Sequence, residues 1–204
     1  MVAIVDYGMG NLGSVQNMVK KIGYDSIITS EKEIILEADK LILPGVGRFD
    51  AGMNNLKEKG LIDILNDKVK NNRTPLLGIC LGMQLITNYS EEGNVKGLGW
   101  IDAETVKFRF DGNENLKVPH MGWNFIKQMN QAKLLYEKYD DSRFYFVHSY
   151  YVKCNKEENV VATTNYGFKF DSIIQDDNIV GTQFHPEKSH KFGMKVLKNF
   201  LELY

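Results

Sequence analysis

Hydrophobic and polar positions follow two different rhythms along this chain. In the first half the apolar residues come as short unbroken runs, Val2 to Val5, Leu41 to Leu43 and Leu76 to Cys80, each followed closely by glycine or proline. Runs of that kind read as strands buried on both faces, the habit of a parallel sheet. Between the first two the period lengthens to that of a helix: Leu12, Val15, Met18, Val19 and Ile22 share one face, and Gly23 stands as a stop. Asp50 to Lys70 reads as helix interrupted near Gly60, and Gly82 to Asn88 as a short helix. In the second half Thr105 to Phe110 alternates apolar and polar residues, as a half-exposed antiparallel strand does. Phe144 to Val147, Val160 to Thr164 and Ile179 to Phe184 are further expected strands. A last helix from about Lys188 to Leu203 turns Phe192, Val196, Leu197 and Phe200 to one side. The pattern predicts an α/β fold: a mixed, mostly parallel central sheet with helices on both faces.

Composition narrows the function classes. The chain has 204 residues with no internal repeat and no Pro/Ser-rich linker, so one domain over 1–204 is expected. Lys plus Arg is 25 against 26 Asp plus Glu, which leaves no basic excess for a general nucleic-acid binder. Two cysteines exclude a disulfide-dense scaffold and suit a reducing compartment. No apolar run approaches the ~18 residues of a membrane helix. The opening Met1 to Gly8 lacks the basic lead of a signal peptide, and the last four residues hold no prenylation cysteine. A cytoplasmic protein without membrane or nucleic-acid partners is expected.

The sharpest chemical signal is Gly78-Ile79-Cys80-Leu81-Gly82, between an apolar strand and an expected helix. A nucleophile elbow needs that context: a tight turn presents the reactive side chain at the carboxyl edge of the sheet, and small flanking residues admit the turn. The helix start beyond it favours thiolate and offers the Leu81 N–H to a developing oxyanion. An isolated cysteine is more often a buried apolar residue; the elbow is what argues otherwise. Of four histidines, His185 is best placed as base, because it ends the strand Ile179 to Phe184 and carries Glu187 two residues on to orient it. Pro186 holds His185 extended. After the strand Leu41 to Leu43, the loop Pro44-Gly45-Val46-Gly47 lies at the same sheet edge and can turn N–H groups toward the oxyanion. No Cys, His and carboxylate set has zinc spacing, and the Asp6 to Asn11 loop lacks the dinucleotide glycine pattern, so neither metal nor cofactor is expected. Cys154 has no elbow glycines and His190 falls in the last helix, and neither is given a chemical step.

Together these segments resemble the class I glutamine amidotransferases, a family with a Cys-His-Glu triad and a flavodoxin-like fold. The residues that carry the resemblance span almost the whole chain: Asp6 to Leu12, Pro44 to Gly47, Gly78 to Gln84, Pro119 to Asn124, Phe146 to Tyr150 and Gln183 to Ser189. The elbow and His-Pro-Glu are common to the class, whereas the Asp6 to Leu12, Pro44 to Gly47 and His120 to Asn124 segments are closest to members that work as glutaminase subunits under a (β/α)8-barrel cyclase. The resemblance implies that Cys80 attacks the side-chain amide of glutamine, that His185 shuttles the proton and that Glu187 orients it. It places Gly45, Val46, Gly47 and Leu81 at the oxyanion and Gln84, Gly47, Ser149 and Tyr150 on the substrate. It puts Asn11, Met121, Trp123 and Lys188 at the partner surface, and it implies that the Pro44 to Gly47 strand needs the partner and its nucleotide to become competent. Two destinations for the ammonia stay open: histidine biosynthesis through the cyclase, or amidation of a surface sugar by another barrel partner. A glutaminase remnant that only binds and a stand-alone cysteine hydrolase are the rival classes, opposed respectively by the intact triad residues and by the partner-facing segments.

Overall fold

The computed structural model describes residues 1–110 and 116–204. In chain order the elements are β1 (Val2–Val5), α1 (Leu12–Ile22), β2 (Ser26–Thr29), α2 (Lys32–Glu37), β3 (Lys40–Gly45), α3 (Phe49–Glu58), α4 (Ile62–Asn66), β4 (Leu76–Cys80), α5 (Leu81–Leu85), β5 (Tyr89–Ser90), β6 (Val95–Lys96) and β7 (Ala103–Lys107). They continue with β8 (His120–Phe125), β9 (Lys127–Gln128), β10 (Arg143–His148), β11 (Tyr150–Cys154), β12 (Val160–Tyr166), β13 (Phe168–Asp176), β14 (Ile179–Thr182) and α6 (His190–Leu203).

The unbroken apolar runs become the middle of one large mixed sheet, ordered β2-β1-β3-β4-β14-β13-β11-β7-β5-β6. From β2 to β14 each neighbour is parallel; from β14 to β7 each is antiparallel. Alternate side chains of the parallel strands enter opposite layers. Ile4, Ile42 and Leu77 meet Val15 and Val19 of α1 and Val196 and Phe200 of α6. Val5, Leu41 and Leu43 meet Leu56 of α3, Leu65 of α4 and Leu85 of α5. Both faces are covered, which is why these strands carry no polar alternation. The helices end where local chemistry ends them: Asn11 caps α1 by accepting the Ser14 N–H (3.2 Å), and Gly23 closes it in the left-handed conformation.

The parallel block decides where chemistry can occur. β3 and β4 end together, with Gly45 in register with Cys80. β14 runs parallel to β4, Thr182 beside Ile79, so the chain that follows β14 emerges next to Cys80.

Several boundaries depart from the sequence expectation. The expected Gly82–Asn88 helix is five residues, Leu81–Leu85; Thr87 donates its hydroxyl to the Gln84 carbonyl (2.8 Å), and Asn88 N–H is already taken by Ala103 O. The 50–70 helix is divided at residues 59–61 into α3 and α4, followed by a π turn over Asp67–Asn71. The Thr105–Phe110 strand starts at Ala103 and stops at Lys107, although Phe108 still donates to Ser149 O (3.2 Å). β14 stops at Thr182, and α6 starts at His190 after a 3₁₀ turn over Pro186–Lys188. β2, α2, β8, β11 and β13 were not among the expected elements. Among the described residues no helix is long and apolar enough to cross a membrane.

Candidate active site

β4 delivers Cys80 to the sheet edge with φ 54° and ψ −105°. A non-glycine residue in that region costs about 1–3 kcal/mol and persists only where its surroundings enforce it. Here the enforcement is close packing of backbone: a Cβ on Gly82 would lie 1.7 Å from Leu43 O, and one on Gly78 would lie 2.8 Å from the Gly82 backbone. Cys80 is buried, with Sγ 3.9 Å from Val147 O and a long hydrogen bond received from Gln183 Nε2 (3.8 Å).

His185 follows β14, and the 3₁₀ turn after it folds Glu187 back so that Nδ1 and Oε1 stand 2.7 Å apart, with side chains 1% and 3% exposed. The His185 N–H donates to Tyr145 O (2.9 Å), and the Ser189 hydroxyl donates to His185 O (2.6 Å), which fixes the backbone beneath the ring. With Nδ1 given to the carboxylate, Nε2 is left without a hydrogen-bond partner among the described residues. Burial works against a charged ring, but the facing Cys80 and the Glu187 carboxylate outweigh it and raise the His185 pKa to about 10. Cys80, His185 and Glu187, spread over the sequence, therefore come together as thiol, imidazole and carboxylate, the residue types that a nucleophile, base and orienter set requires.

A cavity of about 220 Å³ opens over the thiol, walled by Val46, Gly47, Leu81, Gln84, Val147, His148, Ser149 and Tyr150. Gly45 lies behind that wall: a Cβ there would fall 2.1 Å from the Tyr7 hydroxyl and 2.9 Å from Leu81 Cβ. Tyr7 is buried, and burial together with the nearby Cys80 raises its pKa. Gln84 does not point freely into the cavity; its Nε2 donates to Tyr150 O (3.0 Å) and to Gln183 Oε1 (3.1 Å). Two side chains at this site were given no role from sequence. Glu92 lines the cavity with a carboxylate anchored on the Phe49 N–H at the start of α3 (2.9 Å), and Gln183 touches the sulfur. Gln183 stood beside His185 in a noted motif, so proximity to the base was its available signal; Glu92 sits in a charged turn with nothing local to mark it.

The candidate partner-surface residues are placed differently. β8 is inverted relative to an ordinary half-buried strand: His120, Gly122 and Asn124 face inward, while Met121, Trp123 and Phe125 are 61%, 44% and 58% exposed. Trp123 is thus a surface ring rather than core filler, stacked on His190 at 5.4 Å. Lys188 is exposed and stands over the Tyr145 ring at 5.8 Å. Asn11 is exposed and spends its carbonyl oxygen on the α1 cap. Cys154 is partly buried against Asp171, and burial pushes its thiol pKa up. Among the described residues no group of three or more His, Cys, Asp or Glu could hold a metal ion.

A thiol on an enforced strand-to-helix turn faces an imidazole held by a carboxylate, both just beyond the neighbouring parallel strand β14, and this geometry fits a triad amidotransferase. The family Glutamine amidotransferase class-I matches residues 3–203, and the chain belongs to it. Within that family it is 60% identical over 202 residues, 99% of each chain, to the imidazole glycerol phosphate synthase subunit HisH 2 of Methanococcus maripaludis. It is 48% identical over 203 residues, 100% of each chain, to the subunit of the same name from Pseudomonas aeruginosa. A solved glutamine amidotransferase superposes with a TM-score of 0.77 over 100% of this chain and 98% of its own at 18% identity, which speaks to the fold alone.

Proposed function

We propose that this chain is the glutaminase subunit of an imidazole glycerol phosphate synthase. It hydrolyses glutamine to glutamate and ammonia and passes the ammonia to a cyclase (β/α)8-barrel subunit, which forms imidazole glycerol phosphate and AICAR in histidine biosynthesis. The observation that carries the glutaminase chemistry is the 2.7 Å Glu187–His185 contact that leaves Nε2 free beside Cys80. Full-length similarity to subunits of that synthase supports the pathway over amidation of a surface sugar by another partner. The whole chain, 1–204, works as one domain, and its place is the cytoplasm.

In the reaction His185 Nε2 takes the Cys80 thiol proton, and the sulfur attacks the amide carbon of glutamine. The oxyanion that forms draws on the Leu81 N–H and on N–H groups of the Gly45 to Gly47 strand. Collapse breaks the C–N bond while His185 protonates the departing ammonia, leaving a thioester. Water, deprotonated by His185, releases glutamate and restores the thiol. Glu187 keeps the imidazole in one tautomer throughout. Gln84, Ser149 and Tyr150 hold the substrate, and the Glu92 carboxylate offers a counter-charge to an α-ammonium. Met121 and Trp123 on the outward row of β8, with Lys188 and Asn11, meet the cyclase, an aromatic-centred surface of the kind that dominates docking energy.

Glutamate release is measured with the purified chain alone, with its cyclase subunit, and with the cyclase plus the formimino ribonucleotide. Strong activation only in the last case is expected. Turnover indifferent to both additions would move the protein to another partner or to a solitary amidase.

A further inference from the structure

Hydrogen bonds run without a break from β8 to the sulfur of Cys80, and each donor can be assigned. Asn124 Oδ1 accepts the Phe125 N–H (2.8 Å), which turns its Nδ2 toward His120 Nε2 (3.2 Å) and Asn165 O (3.0 Å). His120 Nδ1 stands 2.9 Å from His148 Nε2, and His148 Nδ1 stands 2.8 Å from Tyr150 O. A carbonyl only accepts, so His148 carries its proton on Nδ1 and its Nε2 is an acceptor. His120 must then donate from Nδ1, which leaves its Nε2 to accept from Asn124. One proton arrangement satisfies the links from Asn124 to Tyr150: both rings are neutral with hydrogen on Nδ1, and each donor along them points from β8 toward the Tyr150 carbonyl, where the direction reverses because Gln84 donates to the same oxygen. Burial holds His148 down to about 3 and His120 to about 4, so neither ring is charged at neutral pH. The Tyr150 carbonyl also accepts from Gln84 (3.0 Å), whose other contact is Gln183 (3.1 Å), whose amide reaches Cys80 Sγ (3.8 Å).

We propose that His120 and His148 are positioning residues of the glutamine site. They hold the Tyr150 carbonyl, and through Gln84 and Gln183 the Cys80 sulfur, in fixed relation to the outward-facing strand β8. The proposal deepens the glutaminase reading above and rests on it. The two residues face one another across the β8–β10 pair, in register. The His120 ring lies against Phe146 at 4.9 Å and Tyr166 at 4.1 Å. What the imidazoles supply there, and an apolar side chain would not, is a donor at one end and an acceptor at the other. A head-to-tail chain of this kind also polarises each of its members.

Two measurements on the full chain test it. The first is imidazole nitrogen NMR of the histidine-labelled protein at neutral pH, assigned with His120→Phe and His148→Phe. Both rings are expected in the Nδ1–H form with slowly exchanging protons; hydrogen on Nε2 of either one overturns the chain of donors. The second is glutamine kinetics in the complex with cyclase and ribonucleotide. His148→Phe keeps a ring and loses both bonds, and its KM for glutamine is expected to rise about tenfold, the worth of one or two buried hydrogen bonds, with a smaller fall in kcat. His148→Asn, whose amide can still donate to Tyr150 O, is expected to recover most of that KM. Equal KM values for the two variants would refute the positioning role. The tautomers are read without any turnover, so a wild-type complex inert toward glutamine would sink the glutaminase reading and the glutamine role together, yet be told apart from a failure of the hydrogen-bond chain itself.

Discussion

His185 and His148 are both enclosed in the interior, one against Cys80 and the other lining the small cavity over it, and their pKa values move in opposite directions. His185 is lifted to about 10 and His148 is pressed down to about 3. Burial penalises the charged ring at both positions. At His185 the penalty is overcome by two acidic neighbours, Cys80 and a carboxylate 2.7 Å away. At His148 the surroundings are a carbonyl, the neutral ring of His120, and Phe108 and Phe170, each with centroids at 5.2 Å. Proton-transfer capacity in this molecule is therefore allotted by the partner and not by depth. One imidazole becomes a base able to hold a proton, and the other becomes a fixed link with a defined direction.

The most severe break removes the proposed nucleophile on the charged side. Cys80→Ala is expected to lower glutamate release by at least about 10⁴-fold, because no second group can form the thioester; a steady-state glutaminase assay in the activated complex reads it. Next, Glu187→Gln keeps the shape of the dyad but cancels its charge. A kcat loss of about 10²–10⁴-fold is expected, with a His185 pKa lower than in the wild type, seen together in pH–rate profiles and histidine NMR.

A third test uses the opposite signs. The unfolded chain titrates histidine near 6.5, so the neutral pair contributes stability that is full above that pH and is lost as pH falls toward about 4 and 3. Each ring adds up to about 1.4 kcal/mol per pH unit to that slope. His185 does the reverse: its raised pKa contributes stability that is full below about 6.5 and is lost as pH climbs toward about 10. Urea melts across pH should show His148→Phe flattening only the acid limb and Glu187→Gln only the alkaline one. A mirrored or shared response would refute the contrast. The smallest expected effect concerns the exposed imidazole. Trp123→Ala removes the ring stacked on His190 and should weaken cyclase association by about 1–2 kcal/mol, read by calorimetry, while leaving both buried histidines where they were.

How much of this was legible beforehand depended on whether the relevant signal was local. The doubly buried runs at Val2, Leu41 and Leu76 announced the parallel block, and the glycines around Cys80 announced the elbow, because each pattern reflects a constraint within a few residues. His185 and its acid were visible for the same reason. β13 was harder: Ile173 and Ile174 are consecutive yet both buried, one in each layer, so the alternation breaks mid-strand. β8 was harder still. His120 to Phe125 does alternate, but with imidazole and amide inward and the apolar residues outward, which hides a strand from any reading that places apolar side chains in the core. Glu92 and the link from Gln183 to Cys80 depend on contacts between residues 43 and 103 positions apart, and no window along the chain contains them.

The inverted strand also bears on how such a protein must be produced. Met121, Trp123 and Phe125 form an outward apolar row that folding covers only in part, through the His190 ring stacked on Trp123, since their inward neighbours already satisfy the interior. Exposed rows of this kind invite self-association. A cell that accumulates this polypeptide with that row uncovered is expected to lose part of it to aggregation, so the yield of usable protein is set by three side chains of one strand.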